Sequence, residues 1–189
     1  MIISKGLLFQ EQKNIIQNIF EKYDASFDTI KFRKYYKCDK ITNNFEKAGG
    51  NLEMADENFL MRLADFTNKF NEEFYGKIEP KSYGINVVMN GIMKKNLFQW
   101  NIESNPVAIL QVNYDDFDFP LIGFVYVDQN FRNKKISTSI VYEVTKGLLF
   151  NGFKECMLYT DGNNIYSNKS FINSGYKLVG EYVSYYKKE

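Results

Sequence analysis

Six consecutive residues, Arg132-Asn133-Lys134-Lys135-Ile136-Ser137, carry the clearest chemical signal in this sequence. They follow an apolar and aromatic run, Leu121 to Val127, that reads as a buried strand. They open a stretch in which Ile136, Ile140, Val144 and Leu148 recur every fourth position, with Val141 and Leu149 widening the same face. A helix that starts just after a basic turn directs unpaired backbone N–H groups and the positive end of its dipole at one spot, where a phosphate can be held. The predicted ligand is an anion. Taken alone, the stretch also fits a ligand-free junction, which many α/β and α+β proteins contain.

Other reactive groups are few. The chain has no histidine, which removes His-based triads, the commonest general base and most zinc sites. Its two cysteines, Cys38 and Cys156, are expected to be reduced thiols, with Cys156 in an apolar core strand. Asp115, Asp116 and Asp118 match no calcium-loop spacing and read as a solvated loop, and no metal site is expected. Asp65, Glu72 and Glu73 read as a solvated helix face. Tyr35 and Tyr36 are either core, the simpler reading, or a ligand wall.

The elements that must position these groups can be taken in chain order. Residues 7–23 have helical spacing, with Leu8, Ile15, Ile16, Ile19, Phe20 and Tyr23 on one side, and Thr29 to Arg33 alternates like a short strand. Gly49-Gly50 then marks a boundary, so residues 1–50 are expected to form an N-terminal extension and residues 51–189 the main domain. Asn51 to Ala55 is a predicted strand, and Asp56 is a cap for a helix over Glu57 to Tyr75. That helix presents Phe59, Leu60, Leu63, Phe66, Phe70 and Phe74 on one face and stops at Gly76. Ile85, Val88, Met89 and Ile92 mark a second helix with a core-facing stripe.

Three strand-like runs follow, Leu97 to Glu103, Val107 to Asn113 and Phe119 to Val127, with Ser104-Asn105-Pro106 as the first turn; short connections imply an antiparallel meander. After the helix from Ile136 to Phe150, Cys156 to Thr160 is a buried strand expected to run parallel to the one ending at Val127. A short helix over Ser167 to Ser174 and a last strand over Tyr176 to Tyr186, with Tyr176, Leu178, Val179 and Val183 as its apolar members, complete the order.

The length suits one domain or one domain with an extension. With 24 basic against 23 acidic residues, the +1 net charge argues against a nucleic-acid partner. No apolar run of about eighteen residues and no secretory hydrophobic core at the amino terminus points to a membrane, so a cytoplasmic protein is expected.

The residues VYVDQNFRNKKIS, the strand Leu158-Tyr159-Thr160-Asp161, and Asn164-x-x-Ser167-Asn168-Lys169-x-Phe171-x-x-x-Gly175-Tyr176 together resemble the GNAT superfamily of acyl-CoA-dependent N-acetyltransferases. The similarity is clearest from Phe119 to Gly180, is plausible in element order from Leu52 onward, and leaves residues 1–50 unmatched. It implies an α+β GNAT fold, a mixed, mostly antiparallel sheet with splayed central parallel strands flanked by helices. It further implies acetyl-CoA as donor, with its pantetheine arm on main-chain groups of Val125, Tyr126 and Val127 and its pyrophosphate on the turn Arg132, Asn133, Lys134, Lys135, Ile136 and Ser137. Asn164 and Asn168 would offer side-chain amides to the cofactor or to the loop beneath it. A backbone N–H near Val125 to Val127 would polarise the thioester.

Two positions depart from the family pattern. Lys135 stands where the resemblance places a glycine, with Ser137 a conservative second small residue, and the charges of Lys134 and Lys135 would partly offset the added Cβ. Phe171 stands where the family commonly has a tyrosine that protonates the departing thiolate, leaving water or Tyr166 as substitutes. Glu103 and Asp118 are general-base candidates by neighbourhood only, and both read more simply as surface residues.

Three functions follow: an N-acetyltransferase acting on a small amine, an amino acid or a peptide terminus; a GNAT-like module that binds acyl-CoA or a protein without transfer; or an aminoacyl-tRNA-using transferase of related fold, against which the neutral charge counts. The acceptor is expected to be shaped by Phe59 to Asn96. The extension is expected to cover the opening, complete the sheet, or make a dimer contact; the oligomeric state is open.

Overall fold

The computed structural model describes residues 7–8, 18, 22, 27–41, 46–114 and 119–187. Its strands are β1 (Leu7–Leu8), β2 (Phe27–Cys38), β3 (Asn51–Met54), β4 (Leu97–Ile102), β5 (Asn105–Tyr114), β6 (Pro120–Val127), β7 (Cys156–Asp161) and β8 (Lys177–Lys187). Its helices are α1 (Leu60–Tyr75), α2 (Lys81–Met93), α3 (Ile136–Phe150) and α4 (Ile165–Asn173). All eight strands join one sheet in the order β1-β8-β2-β7-β6-β5-β4-β3. Among the described residues β6 and β7 are its one parallel pair, as the intervening helix requires.

Strand alternation divides the core in two. Ile109 and Tyr126 point to the face that Leu63, Phe66 and Val88 of α1 and α2 cover. Ala108, Leu110, Val125 and Val127 point to the opposite face, under Ile136, Ile140, Val144 and Leu148 of α3 and Phe171 of α4. The Asp56 carboxylate accepts the Asn58 N–H at 2.8 Å, at the start of a 3-10 turn that runs into α1, and Gly76 ends α1 at φ 68. Met89 departs from its expected place in the core: it is 41% exposed, while Gly84, Val88 and Gly91 make the buried face of α2. Gly84 lets α2 press on the Ala64 carbonyl, so small residues set that packing.

The β4–β5 turn is Glu103-Ser104, both at positive φ (49 and 60), with Ile102 opposite Asn105. A two-residue turn of this hand matches the twist of the strands, so Asn105 and Pro106 begin β5 instead of forming the predicted turn. Leu178 and Val179 are nearly half exposed, and Tyr176, buried with its hydroxyl 2.7 Å from Thr145 Oγ1, anchors the entry to β8.

The first fifty residues are corrected most. Leu7 and Leu8 lie in a strand opposite Ser184 and Val183, not in a helix; Asn18 and Lys22 are helical, and the remainder of the predicted helix lies outside the described residues, as do Asp115, Asp116 and Asp118. The strand predicted around Thr29 extends from Phe27 to Cys38 and completes the sheet between β7 and β8, antiparallel to both. Tyr36 is core, 1% exposed, and donates to Asn168 Oδ1 at 2.5 Å.

Cys38 and Cys156 are directly opposite each other in β2 and β7, free and buried. Burial, then the neighbouring Cys38 and Glu155, pushes the Cys156 thiol up to about 12. The native state therefore keeps its proton while the unfolded chain, with an ordinary thiol pKa of about 8.5, gives it up. Stability is intact below that ordinary value and falls as pH rises from about 9 toward 12. Urea midpoints measured at pH 8 and pH 10 should fall more for the wild type than for Cys156→Ala. A second variant tests the junction at residue 50: Gly50 has φ 105, and a Cβ there would meet the Asn101 carbonyl oxygen and Trp100 Nε1. Gly50→Ala is expected to cost at least about 2 kcal/mol by urea denaturation.

Candidate cofactor and acceptor site

β6 and β7 share only two residue pairs, Leu121 with Met157 and Ile122 with Leu158. Beyond them β6 stays paired to β5 as far as Val127, and β7 stays paired to β2 as far as Asp161. The two strands thus diverge toward their C-terminal ends, each held by its outer neighbour. The β5–β6 register advances from Val112–Ile122 to Leu110–Val125, so β6 carries one residue more than its partner, a bulge beside the opening. Asp128 donates its N–H to Val107 on β5 at 2.9 Å. By alternation Tyr126 also faces β5, and Val125 and Val127 direct their main-chain groups at the opening. The Val127 carbonyl accepts from Arg132 Nε at 3.1 Å.

The helix start lies at the same end. Lys135, the residue before α3, is left-handed at φ 60, and Asn133 likewise at φ 62. Ser139 N–H bonds back to the Lys135 carbonyl at 2.9 Å, leaving the amides of Ile136, Ser137 and Thr138 ahead of the helical ladder. The basic side chains are committed elsewhere. Arg132 pairs with Glu73 of α1 at 2.8 Å, Lys135 pairs with Glu46, and Lys134 lies over the Phe131 ring and bonds the Asn130 carbonyl at 3.3 Å. Lys135 thus extends toward the segment before β3 and not across the amides. Glu73, exposed on the helix face as expected, also holds the turn to α1. Ser137 Oγ lies 2.6 Å from Ser170 Oγ, and Thr138 Oγ1 lies 3.0 Å from it, so hydroxyls join α3 to α4.

On α4 the two asparagines serve the loop. Asn164 Oδ1 accepts the Ser167 N–H at 3.0 Å, and Asn168 Nδ2 donates to the carbonyls of Asp161, Gly162 and Asn164. Phe171 is buried with its ring 6.3 Å from Tyr36, whereas Tyr166 is 84% exposed on another side of the helix. Glu103 sits at the β4–β5 turn across a cleft from Lys134 and Ile136, not between β6 and β7.

The α1 face of the opening is aromatic. Phe124 of β6 lies 5.2 Å from Phe70, Phe70 stacks on Phe74 at 5.2 Å, and the Arg33 guanidinium sits 4.7 Å from Phe74 and 5.6 Å from Tyr159 of β7. One belt of rings and a cation therefore links the two banks. Lys31 of β2 donates to the Phe74 carbonyl at 3.3 Å, fixing the end of α1 there. Arg33 was not legible as a site residue, because in sequence it is one polar member of an alternating strand in the extension.

The sequence matches no protein-family model and no curated protein. Solved structures do match. A GNAT-family acetyltransferase from Colwellia psychrerythraea aligns over 92% of this chain at TM-score 0.66 and 18% identity, covering 62% of that chain. A GCN5-related N-acetyltransferase from Sphaerobacter thermophilus aligns over 97% at TM-score 0.71 and 13% identity, covering 59% of that chain. A tandem GNAT protein from the clavulanic acid biosynthesis pathway aligns over 96% at TM-score 0.63 and 8% identity, covering 62% of that chain. The present chain spans about three fifths of the length of these proteins. With its splayed parallel pair, bulged β6 and helix start at one end, the chain has the GNAT acetyltransferase fold.

Proposed function

We propose that the protein is an N-acetyltransferase that moves an acetyl group from acetyl-CoA to a primary amine by direct attack in a ternary complex. The observation that carries this reading is the unpaired edge of β6, which leads from the opening to the free amides at the start of α3. A pantetheine arm is itself a chain of amides, and the main-chain groups of Val125 and Val127 offer it strand-like hydrogen bonds. The pyrophosphate would lie on the turn from Asn133 through Ser137, where helix dipole and N–H groups favour it.

In the proposed reaction the neutral amine attacks the thioester carbon. A backbone N–H of the Val125 to Val127 edge stabilises the oxyanion, the attacking nitrogen gives its surplus proton to solvent, the C–S bond breaks, and coenzyme A departs as a thiolate. The buried Phe171 has no proton to give. A thiol of pKa about 8.5 is a tolerable leaving group that solvent can protonate afterwards. Neither cysteine suits an acetyl-enzyme intermediate, since both are buried with thiol pKa values raised by that burial. A second reading, binding without transfer, is favoured by the Cβ of Lys135 in the turn and by Phe171.

Acetyl-CoA at saturation is expected to raise the melting temperature; no shift would remove both readings. Thiol release measured over a panel of amines then separates transferase from binder. Lys135→Gly is expected to tighten acetyl-CoA binding by up to about tenfold in a calorimetric titration, because glycine adopts the left-handed conformation without a Cβ facing the phosphates. Unchanged or weaker binding would place the pyrophosphate elsewhere.

A further inference from the structure

Arg33 is 3% exposed, yet among the described residues its guanidinium has neither a hydrogen bond nor an ion pair. Among the described residues its partners are two ring faces, Phe74 and Tyr159, which hold the plane of the group but fill none of its five N–H donors. The acids on the surrounding elements are engaged elsewhere. Asp161, opposite Arg33 in the β2–β7 register, accepts the Asn163 N–H at 2.9 Å. Glu181 on β8 pairs with Lys34 at 3.3 Å, and Glu73 on α1 pairs with Arg132. Burying a cation without a counter-charge is costly, and breaking such a pair is among the more damaging changes a protein can suffer. Among the described residues no nitrogen of Arg33 is both fully enclosed and without a partner, so its unpartnered nitrogens still reach open space.

The position of that open donor set is informative. Tyr159 is the first residue of β7 past its last pairing with β6, and Phe74 reaches Phe124 of β6 through Phe70. Arg33 therefore lies on the α1 side of the opening, the face opposite α3 and α4. If the cofactor's phosphates rest at the start of α3, the thioester emerges toward Arg33. We infer that the acceptor amine carries a carboxylate, which the Arg33 guanidinium binds through its outward N–H groups while Phe74 and Tyr159 hold its plane. The acceptor class is then an amino acid or a similar small zwitterion. The two-donor fork of arginine fits a carboxylate in a way that a lysine does not. This rests on the acetyl-transfer reading for the identity of the acceptor, but the anion site itself does not need turnover.

Two measurements on the full chain test it. In the first, thiol release is followed with phenylalanine, leucine and glutamate, each against its α-carboxamide, for the wild type, Arg33→Met and Arg33→Lys. The carboxamide's amine is less protonated at neutral pH, so a preference for the acid must come from the protein. At least one acid is expected to exceed its amide at least tenfold in kcat/KM. Arg33→Met should bring that ratio to about one, mainly through KM, and Arg33→Lys should leave part of it. In the second, melting temperature is read with coenzyme A plus N-acetylphenylalanine or its carboxamide. The carboxylate should stabilise the wild type more, and neither Arg33 variant should show the full difference; Arg33→Lys guards against a fold defect in Arg33→Met.

Equal behaviour of acid and amide in the wild type, or a preference that survives in Arg33→Met, would overturn the inference. Discrimination in the second measurement with no turnover in the first would uphold the carboxylate site and sink acetyl transfer. Turnover without discrimination would do the reverse.

Discussion

The structure depends on a parallel pairing that stops after two residues. A buried main chain must satisfy its N–H and C=O groups, and a strand that leaves its neighbour gives up one side of that ladder. Here β5 holds β6 and β2 holds β7, so the divergence is imposed from outside by two antiparallel partners. What remains is an edge in the middle of a sheet. Its partial closure comes from side chains: Arg132 takes the Val127 carbonyl, and aromatic residues span the α1 face. Under the proposed function, an extended ligand with amide groups would complement that edge by taking up the main-chain groups that β7 leaves unpaired.

β2 gives this arrangement a second function. Without it, β7 would face β8 across an empty lane; with it, β7 is fixed on its far side by six residue pairs from Arg33–Asp161 to Cys38–Cys156. The same strand sends Lys31 and Arg33 to the end of α1, so the sheet and the aromatic belt are joined by one element. Tyr36 points the other way and ties β2 to α4 through Asn168, whose amide in turn binds three carbonyls of the β7–α4 loop. Alternate residues of one strand thus brace both faces of the opening.

Elements with local signals were legible in the sequence. The fourth-position repeat from Ile136 to Leu148 marks α3, and the strand runs with turn residues between them mark β4, β5 and β6. The helix start after the basic turn was legible too, since the strand before it and the periodic run after it mark the junction locally. What escaped was non-local. Nothing in the residues from Phe27 to Cys38 says that they pair with both β7 and β8, because alternation reports a strand and not its neighbours. The destinations of Lys135 and Arg132 are Glu46 and Glu73, carboxylates distant in sequence. Arg33 is one polar member of an alternating strand until the aromatic rings on either side are known. The left-handed backbone at Lys135 was also invisible, since a lysine gives no local warning of it.

The pairing of β2 with β8 has a consequence for how the protein is made. Residues 27–38 are synthesised well before both of their partners, the strands at residues 156–161 and 177–187. Until those strands emerge, β2 is an aromatic-rich segment with both edges open. Such a segment is prone to wrong pairings with other chains, so yield in the cell depends on its being shielded until β8 has been made.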